Sequence, residues 1–214
     1  VDWHEQLAIR NDKRQTDIID QSNIATDFVN PMKLCLSLNE HIQDDDIIVA
    51  DGGDFVATAS YILQPRSFTG WLDPGVFGTL GVGAGFILGA KLTHPNSVVW
   101  AIYGDGAFGY SLMEFDSFVR HDIPVIAIIG NDAGWTQIAR DQVVMLDDPI
   151  STELVATDYH DAVQALGGKG FFIDNENQIN DVLTQAKESA QSGKPTVVNV
   201  RIGKTDFRKG SLSM

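Results

Sequence analysis

The sequence predicts an α/β protein, a doubly wound open parallel sheet with helices on both faces. Three observations support this fold class. Helical periodicity alternates with short apolar runs from about residue 28 onward. The apolar runs are nearly unbroken, as expected of parallel strands that are covered on both faces. Glycine turns follow several of these runs, and such sheets bind ligands at the carboxyl ends of their strands.

The first half of the chain opens with a polar segment. Residues 1–27 carry Trp3, Leu7 and Ile9 as early apolar anchors, and we expect a linker or docking segment there. Residues 28–214 are expected to form one domain. Its first predicted elements are a helix over 31–41, a strand over 47–50, a helix over 54–63, a Gly/Pro-rich turn over 71–78 and a helix over 80–93.

The second half of the chain supplies four more predicted strands. A short helix and an irregular acidic loop are expected after residue 131. The remaining predicted elements are strands over 98–103, 125–129, 170–173 and 196–202, and helices over 111–120, 159–166 and 177–189. Strands that alternate with helices in this way favour a parallel sheet.

Net charge restricts the classes of ligand. The chain has 29 acidic and 15 basic residues, a formal charge of −14. Because no basic face is available to neutralise a phosphate backbone, nucleic-acid binding is not expected. An acidic protein that binds a polyanion needs a metal ion or backbone N–H groups to receive it.

The cysteine content excludes an internal disulfide, and the apolar runs are too short to span a bilayer. A single cysteine, Cys35, leaves no internal disulfide and is predicted to be a small buried hydrophobe. The longest apolar run, over 125–130, is far shorter than the roughly 20 residues that span a bilayer. We therefore expect a soluble segment, and the first residue, a valine, suggests a fragment of a longer protein.

The strongest chemical signal lies at the ends of two predicted strands. Gly104-Asp105-Gly106 follows the strand over 98–103, and Asn131 follows the next strand 26 positions after Asp105. The glycines allow a tight turn and close backbone approach to phosphate oxygens. Asp105 would repel a phosphate unless a cation lay between them. The Asp105 carboxylate, the Asn131 amide oxygen and the Ala133 carbonyl are therefore predicted to hold Mg²⁺, and Ca²⁺ would fit a flexible loop.

This pattern resembles the signature of thiamin-diphosphate (ThDP) enzymes. The resemblance covers nearly all of residues 30–208 as the pyrophosphate-binding domain. Four runs are similar to acetolactate synthase-like proteins of animals, which are relatives of 2-hydroxyacyl-CoA lyase and oxalyl-CoA decarboxylase. These runs are GTLGVGAGF, GDGAFGYSLMEFDSFVRH, GNDAGWTQIARDQ and IGKTDFRKGS.

The resemblance implies a set of cofactor-binding residues. It assigns the metal to Asp105, Asn131 and Ala133, and the diphosphate to backbone N–H groups of the two strand-end turns. Leu80 would lie under the bend of the cofactor and hold its two rings in the reactive orientation. The complete predicted set is Gly53, Asp54, Phe55, Gly78, Thr79, Leu80, Gly104, Asp105, Gly106, Ala107, Asn131, Ala133, Gly134 and Trp135.

The resemblance also implies partners that this chain does not supply. The glutamate that activates the cofactor belongs to a separate pyrimidine-binding domain, of the same or a partner subunit, so no catalytic side chain is expected here. The whole enzyme is expected to be a homodimer or larger that cleaves 2-hydroxyacyl-CoA, with acetolactate synthesis from two 2-keto acids as the alternative. Related full-length proteins suggest an endoplasmic-reticulum anchor outside this segment.

Other interpretations of the same residues remain open. Gly-Asp-Gly is a common turn, Asn131 can cap a helix, and Leu80 and Trp135 can be ordinary packing residues. The glycines of the 81–85 run follow a turn and not a strand, which disfavours a nicotinamide site. A non-catalytic module that retains the fold and a flavodoxin-like or receiver-like domain are the alternatives from other classes.

Overall fold

The structure, a computed structural model, describes residues 2–209. Its strands are β1 (Ile47–Ala50), β2 (Trp71–Leu72), β3 (Val99–Gly104), β4 (Ile126–Asn131), β5 (Lys169–Ile173) and β6 (Thr196–Arg201). They form one sheet in the order β2-β1-β3-β4-β6-β5, and every neighbouring pair is parallel. The predicted fold class is confirmed.

Helices flank this sheet. Within residues 2–209 they are α1 (Trp3–Ser22), α2 (Pro31–His41), α3 (Asp54–Ser60), α4 (Gly83–Thr93), α5 (Asp105–Ser111), α6 (Glu114–Arg120), α7 (Thr136–Leu146), α8 (Tyr159–Ala165) and α9 (Ile179–Gln191). Short 3-10 turns cover Gly75–Phe77 and Glu176–Gln178.

The two faces of the sheet carry separate apolar cores, since alternate strand residues point to opposite sides. On one face, Trp100 and Ile102 of β3 join a core with α2, α3 and α9. On the other, Ala101 and Tyr103 join a core with α4, α5, α6 and α8. Both cores reach the central strands, which explains why these strands are apolar without interruption.

Local signals in the sequence account for the start of α2. The Asn30 side chain accepts hydrogen bonds from the backbone N–H groups of Met32, at 2.9 Å, and Lys33, at 3.4 Å. Pro31 occupies the first turn, where a missing N–H costs nothing. The helix buries Cys35, as predicted.

Two elements differ from the sequence-based prediction. Residues 71–78 were predicted as a turn, but Trp71 and Leu72 form an edge strand against Ile48 and Val49. Two residues are too few to show a period, so only the pairing with β1 defines this strand. The predicted helix over 111–120 begins at residue 114, and α5 precedes it. Because α5 contains two glycines its helix propensity is low, and burial of its apolar residues decides its conformation.

The N-terminal helix α1 is mostly exposed but joins the core at one point. Ile18 is fully buried against the α2 side of the sheet, whereas Trp3 and Leu7 are 69% and 50% exposed. The division of the chain at residue 27 stays a prediction. No helix among residues 2–209 combines the length and the apolar character needed to cross a membrane.

Candidate functional site

Three strand ends meet at one edge of the sheet. β1, β3 and β4 are neighbours, and Gly104 lies opposite Gly130 in the register of β3 and β4. The Gly104 N–H donates to the Gly52 carbonyl at 3.0 Å, which ties the loop after β1 to the end of β3. These loops border a cavity of about 980 Å³. The cavity lies where open parallel sheets bind ligands.

Most of the predicted cofactor-binding residues line this cavity. Eleven of the fourteen do so, and Thr79, Asn131 and Ala133 do not. The eleven are Gly53, Asp54, Phe55, Gly78, Leu80, Gly104, Asp105, Gly106, Ala107, Gly134 and Trp135. Their location agrees with a shared site, while their role in binding stays a prediction.

Asp105 is a buried carboxylate in the cavity wall. It is 2% exposed, and its two oxygens accept hydrogen bonds from the N–H groups of Gly106, at 2.9 Å, and Gly134, at 3.2 Å. Burial, and then the nearby charge of Asp132, raise the pKa of Asp105 to about 6, although the two N–H donors oppose the rise. An ionised Asp105 is therefore destabilised unless a cation is present.

Asp132 is a second carboxylate of the same cavity. Burial raises its pKa, and the charge of Asp54 adds to the rise, while the Thr136 hydroxyl stabilises the anion by a hydrogen bond. The prediction from the sequence assigns the metal to the neighbouring Asn131 and does not include Asp132. The signal for Asp132 in the sequence is its position directly after Asn131, at the end of the same predicted strand.

Asn131 is fully buried, and both ends of its amide are engaged. The NH₂ group donates to the Thr157 carbonyl, at 3.1 Å, and to the Asn199 side chain, at 3.2 Å. The amide oxygen accepts from Arg201 at 3.2 Å and from the Ala133 N–H at 3.3 Å. Asn131 thus fixes the end of β4 but does not face the cavity.

The turn after Asn131 is paired with the segment 152–154. Ala133 has a left-handed backbone, with φ of 56°, and its carbonyl accepts from the Leu154 N–H at 2.8 Å. The Trp135 N–H donates to the Thr152 carbonyl at 2.8 Å. The N–H of Gly134 already bonds Asp105. Several groups predicted to meet the metal or the diphosphate are therefore bonded within the protein itself.

An ion pair joins the loop after β1 to α7. Arg140 donates to both carboxylate oxygens of Asp54, at 2.9 and 2.7 Å, and to the Thr205 carbonyl at 3.2 Å. The two side chains are 22% and 14% exposed. This two-pronged contact fixes the orientation of Asp54 at the start of α3. The Asp54 carboxylate is thus neutralised at the cavity edge.

Asp51 positions the turn that carries Leu80. Its buried carboxylate accepts from the N–H of Gly81, at 3.0 Å, and from the N–H of Gly83, at 2.8 Å. Burial raises its pKa despite these donors. A Cβ on Gly52 would lie 2.1 Å from a methyl carbon of Leu80. Leu80 is thereby held over the loop that follows β1, inside the cavity.

An aromatic ring lies so close to Gly106 that no space remains for a side chain at this position. A Cβ at this position would lie 2.5 Å from the indole of Trp135, so a larger residue would displace the ring. Trp135 is in turn close to Tyr110, with ring centroids 6.5 Å apart. The indole therefore covers the backbone of the Gly-Asp-Gly turn.

The acidic side chains alone do not form a complete metal site. Among residues 2–209 no group of three or more His, Cys, Asp and Glu side chains is placed to hold an ion. Asp105 and Asp132 supply two carboxylates. Further oxygen ligands would have to come from backbone, water or a bound molecule.

The sequence and the fold belong to a known class. Residues 51–200 match the family described as thiamine pyrophosphate enzyme, C-terminal TPP binding domain, thiamine pyrophosphate being another name of ThDP. The chain is a member of this family. The predicted resemblance to ThDP enzymes is thus confirmed.

Individual relatives show which members of this family the chain is similar to. The chain is 50% identical over 216 aligned residues to 2-hydroxyacyl-CoA lyase 2 of Bos taurus and 49% identical to that of Homo sapiens, covering all of this chain and 34% of each relative. It is 34% identical over 201 residues to a probable acetolactate synthase of Mycobacterium bovis, covering 92% of this chain and 36% of that protein. The chain spans about one third of the length of these relatives.

A solved structure supports the fold. The ThDP-dependent 4-hydroxybenzoylformate decarboxylase of Rhodococcus jostii superposes with a TM-score of 0.74 at 21% identity, over 86% of this chain and 34% of that chain. At this identity the similarity concerns the architecture alone.

Proposed function

We propose that this chain binds Mg²⁺ and the diphosphate of ThDP as part of a carbon–carbon lyase that acts on 2-hydroxyacyl-CoA. The observation that carries the proposal is the pair of carboxylates formed by the buried Asp105 and the half-buried Asp132, in a glycine-lined cavity at the carboxyl ends of the strands. The two negative charges repel each other in one cavity, and a bound cation would relieve this repulsion. The cation then allows an anionic diphosphate to approach a chain of net charge −14.

The cavity fits a hard divalent cation. Mg²⁺ prefers oxygen ligands, and carboxylates are its usual protein contacts. We propose Asp105 and Asp132 as its side-chain ligands, because neither needs to give up a charged partner. The set predicted from the sequence combines Asp105 with Asn131 and Ala133, whose oxygens accept hydrogen bonds from Arg201 and from the Leu154 N–H, respectively. Both sets retain Asp105.

The chain's own residues would bind and orient the cofactor. When bound, ThDP supplies an electron sink for breaking or forming a carbon–carbon bond next to a carbonyl. Leu80, fixed over Gly52, would hold the orientation of its rings. Trp135 would shield the Gly-Asp-Gly turn from water. Because the activating glutamate is expected on another domain, we propose that the 214-residue chain alone binds ThDP weakly and shows no turnover.

The substrate is proposed from the names of the relatives. Proteins at about 50% identity are 2-hydroxyacyl-CoA lyases, and a more distant relative is an acetolactate synthase. Cleavage of 2-hydroxyacyl-CoA is therefore favoured, and acetolactate formation is the alternative. Incubating the full-length protein with a 2-hydroxyacyl-CoA and, separately, with pyruvate distinguishes the two by their products.

Calorimetric titration with ThDP tests the cofactor proposal. We expect saturable binding that requires Mg²⁺ and that weakens about tenfold or more in Asp105→Ala and in Asp132→Ala, since each removes a charged ligand. Asp141→Ala is a matched control, because Asp141 is exposed on α7 and lies outside the cavity. Asn131→Ala then compares the two ligand sets.

The same titration tests the non-catalytic alternative. If wild-type protein and Asp105→Ala give equal weak signals with and without Mg²⁺, the chain retains the fold without the cofactor. If Asn131→Ala loses metal-dependent binding and Asp132→Ala does not, the ligand set with Asp132 is wrong.

A further inference from the structure

A buried arginine in the cavity wall has no anionic partner among residues 2–209. Arg208 is 8% exposed and lines the cavity. Within residues 2–209 it takes part in no salt bridge, and its Nε has no hydrogen-bond partner and is inaccessible to water. An unpaired buried donor is costly, and the cost is larger for a charged group. The proposed cofactor contacts do not use this residue.

An aromatic pair supports the Arg208 side chain. Its guanidinium carbon lies 5.5 Å from the ring centroid of Tyr61, and Tyr61 packs edge-on against Phe207, with centroids 5.9 Å apart. Arg14 stacks on the same pair, 4.2 Å from the Tyr61 centroid, and is exposed. Stacking holds a guanidinium in place but leaves its N–H groups free for an anion.

Arg208 and Asp54 are associated with opposite ends of α3. Tyr61, the aromatic support of Arg208, directly follows α3, whereas Asp54 begins this helix beside the Gly-Asp-Gly turn. A helix of this length rises about 10 Å between the two positions. The cavity therefore presents acidic groups near one end of α3 and an unpaired cation near the other.

We propose that Arg208 receives an oxyanion of the substrate, a carboxylate or a phosphate, in the cavity that Asp105 also lines. The inference deepens the proposed function, because the anion site and the cofactor site share one cavity. A guanidinium offers parallel N–H donors that match two oxygens of either group, which would satisfy the buried Nε. A second anion in an acidic protein needs such a receptor, since a metal ion held by Asp105 is committed to the diphosphate.

Side-chain NMR of the 214-residue chain tests the proposal without ThDP. The ¹⁵N–¹H signal of the Arg208 Nε–H is followed during addition of inorganic phosphate, of acetate, and of chloride at matched ionic strength. We expect a saturable shift with phosphate or acetate and none with chloride. The tighter of the two anions identifies the substrate group.

Three variants separate recognition of the anion by Arg208 from a general effect of positive charge. Arg208→Gln is expected to weaken the favoured anion about tenfold or more, judged from backbone amides of the cavity. Arg14→Gln, which removes the neighbouring guanidinium on the same aromatic pair, is expected to leave the affinity within about twofold. Arg208→Lys keeps the charge and is expected to fall between wild type and Arg208→Gln. Circular dichroism verifies that each variant is folded.

Three results would overturn the inference. These are the absence of a saturable shift with either anion, equal affinity in wild type and Arg208→Gln, and loss of Mg²⁺-dependent ThDP binding in Arg208→Gln, which would assign the residue to the cofactor. Because the anion titration uses no ThDP, it stays readable if the cofactor proposal fails.

Discussion

At the scale of single residues, the proposed metal site depends on Asp105 and Asp132, two of the carboxylates that line the cavity. Asp105 was identified from the sequence because glycines flank it at a strand end. The sequence also predicts Asn131 as a ligand, and this stays a prediction beside the proposed Asp132. Which of two consecutive side chains faces a cavity depends on the backbone of the turn, and here Ala133 takes a left-handed conformation. The structure turns Asn131 toward Arg201 and Asp132 into the cavity.

We predict that Asp105→Asn stabilises the metal-free chain above about pH 6. The folded-state pKa of about 6 lies above the ordinary value of 3.8, so the folded protein binds this proton more tightly than the unfolded chain. The resulting contribution to stability is present below about pH 4 and is lost as the pH rises through 6. Removing the charge should raise the free energy of unfolding by about 1–2 kcal/mol at pH 7, because loss of the Gly134 hydrogen bond offsets part of the gain.

Urea unfolding in the presence of a chelator, at about pH 4 and pH 7, measures this difference. The exposed control Asp141→Asn should change stability little at either pH. A gain in Asp105→Asn of equal size at both pH values would show that burial of the charge is not its cause.

At the scale of elements, long apolar strands and capped helices were predictable and short elements were not. The α2 and β1 boundaries agree with the prediction at both ends. β2 was missed because its two residues show no period, and α5 because its glycines lower helix propensity. The contact of Asp51 with the turn before α4 joins residues about 30 positions apart, and no local pattern indicates it.

We predict that Asp51→Ala destabilises the protein by about 2 kcal/mol, since it leaves the N–H groups of Gly81 and Gly83 without their acceptor. Urea unfolding gives the free energy, and hydrogen exchange should accelerate at these two amides. Asp73→Ala is the matched control. Asp73 also accepts from a glycine N–H, that of Gly75, but is exposed, so water replaces the lost bond. Similar losses in both variants would argue against this role for Asp51.

At the scale of the whole molecule, the chain is about one third of the length of its relatives and exposes apolar side chains. On α7, Val144 is 85% exposed, Met145 73% and Leu146 66%. Patches of this kind favour association with another surface. This agrees with the predicted homodimer and with docking of a pyrimidine-binding domain, both of which stay proposals.

Sedimentation velocity over a range of concentrations tests association of the chain. We expect a monomer–dimer equilibrium that shifts toward monomer in Val144→Asp, because a charge in an apolar interface is costly. Arg120→Asp, on the exposed side of α6, serves as the charge-changing control. Only monomer at the highest concentration would contradict the prediction.

The pairing of segment 152–154 with the turn after β4 has a consequence for affinity. The Thr152 carbonyl accepts from the Trp135 N–H, which the family resemblance assigns to the diphosphate, and the Leu154 N–H donates to the Ala133 carbonyl, which the resemblance assigns to the metal. A diphosphate that bound the Trp135 N–H would compete with the Thr152 carbonyl, and its observed affinity would equal the intrinsic affinity reduced by the fraction of molecules in which this pairing is open. Sequence changes confined to this segment can tune cofactor retention without altering any residue that touches the cofactor.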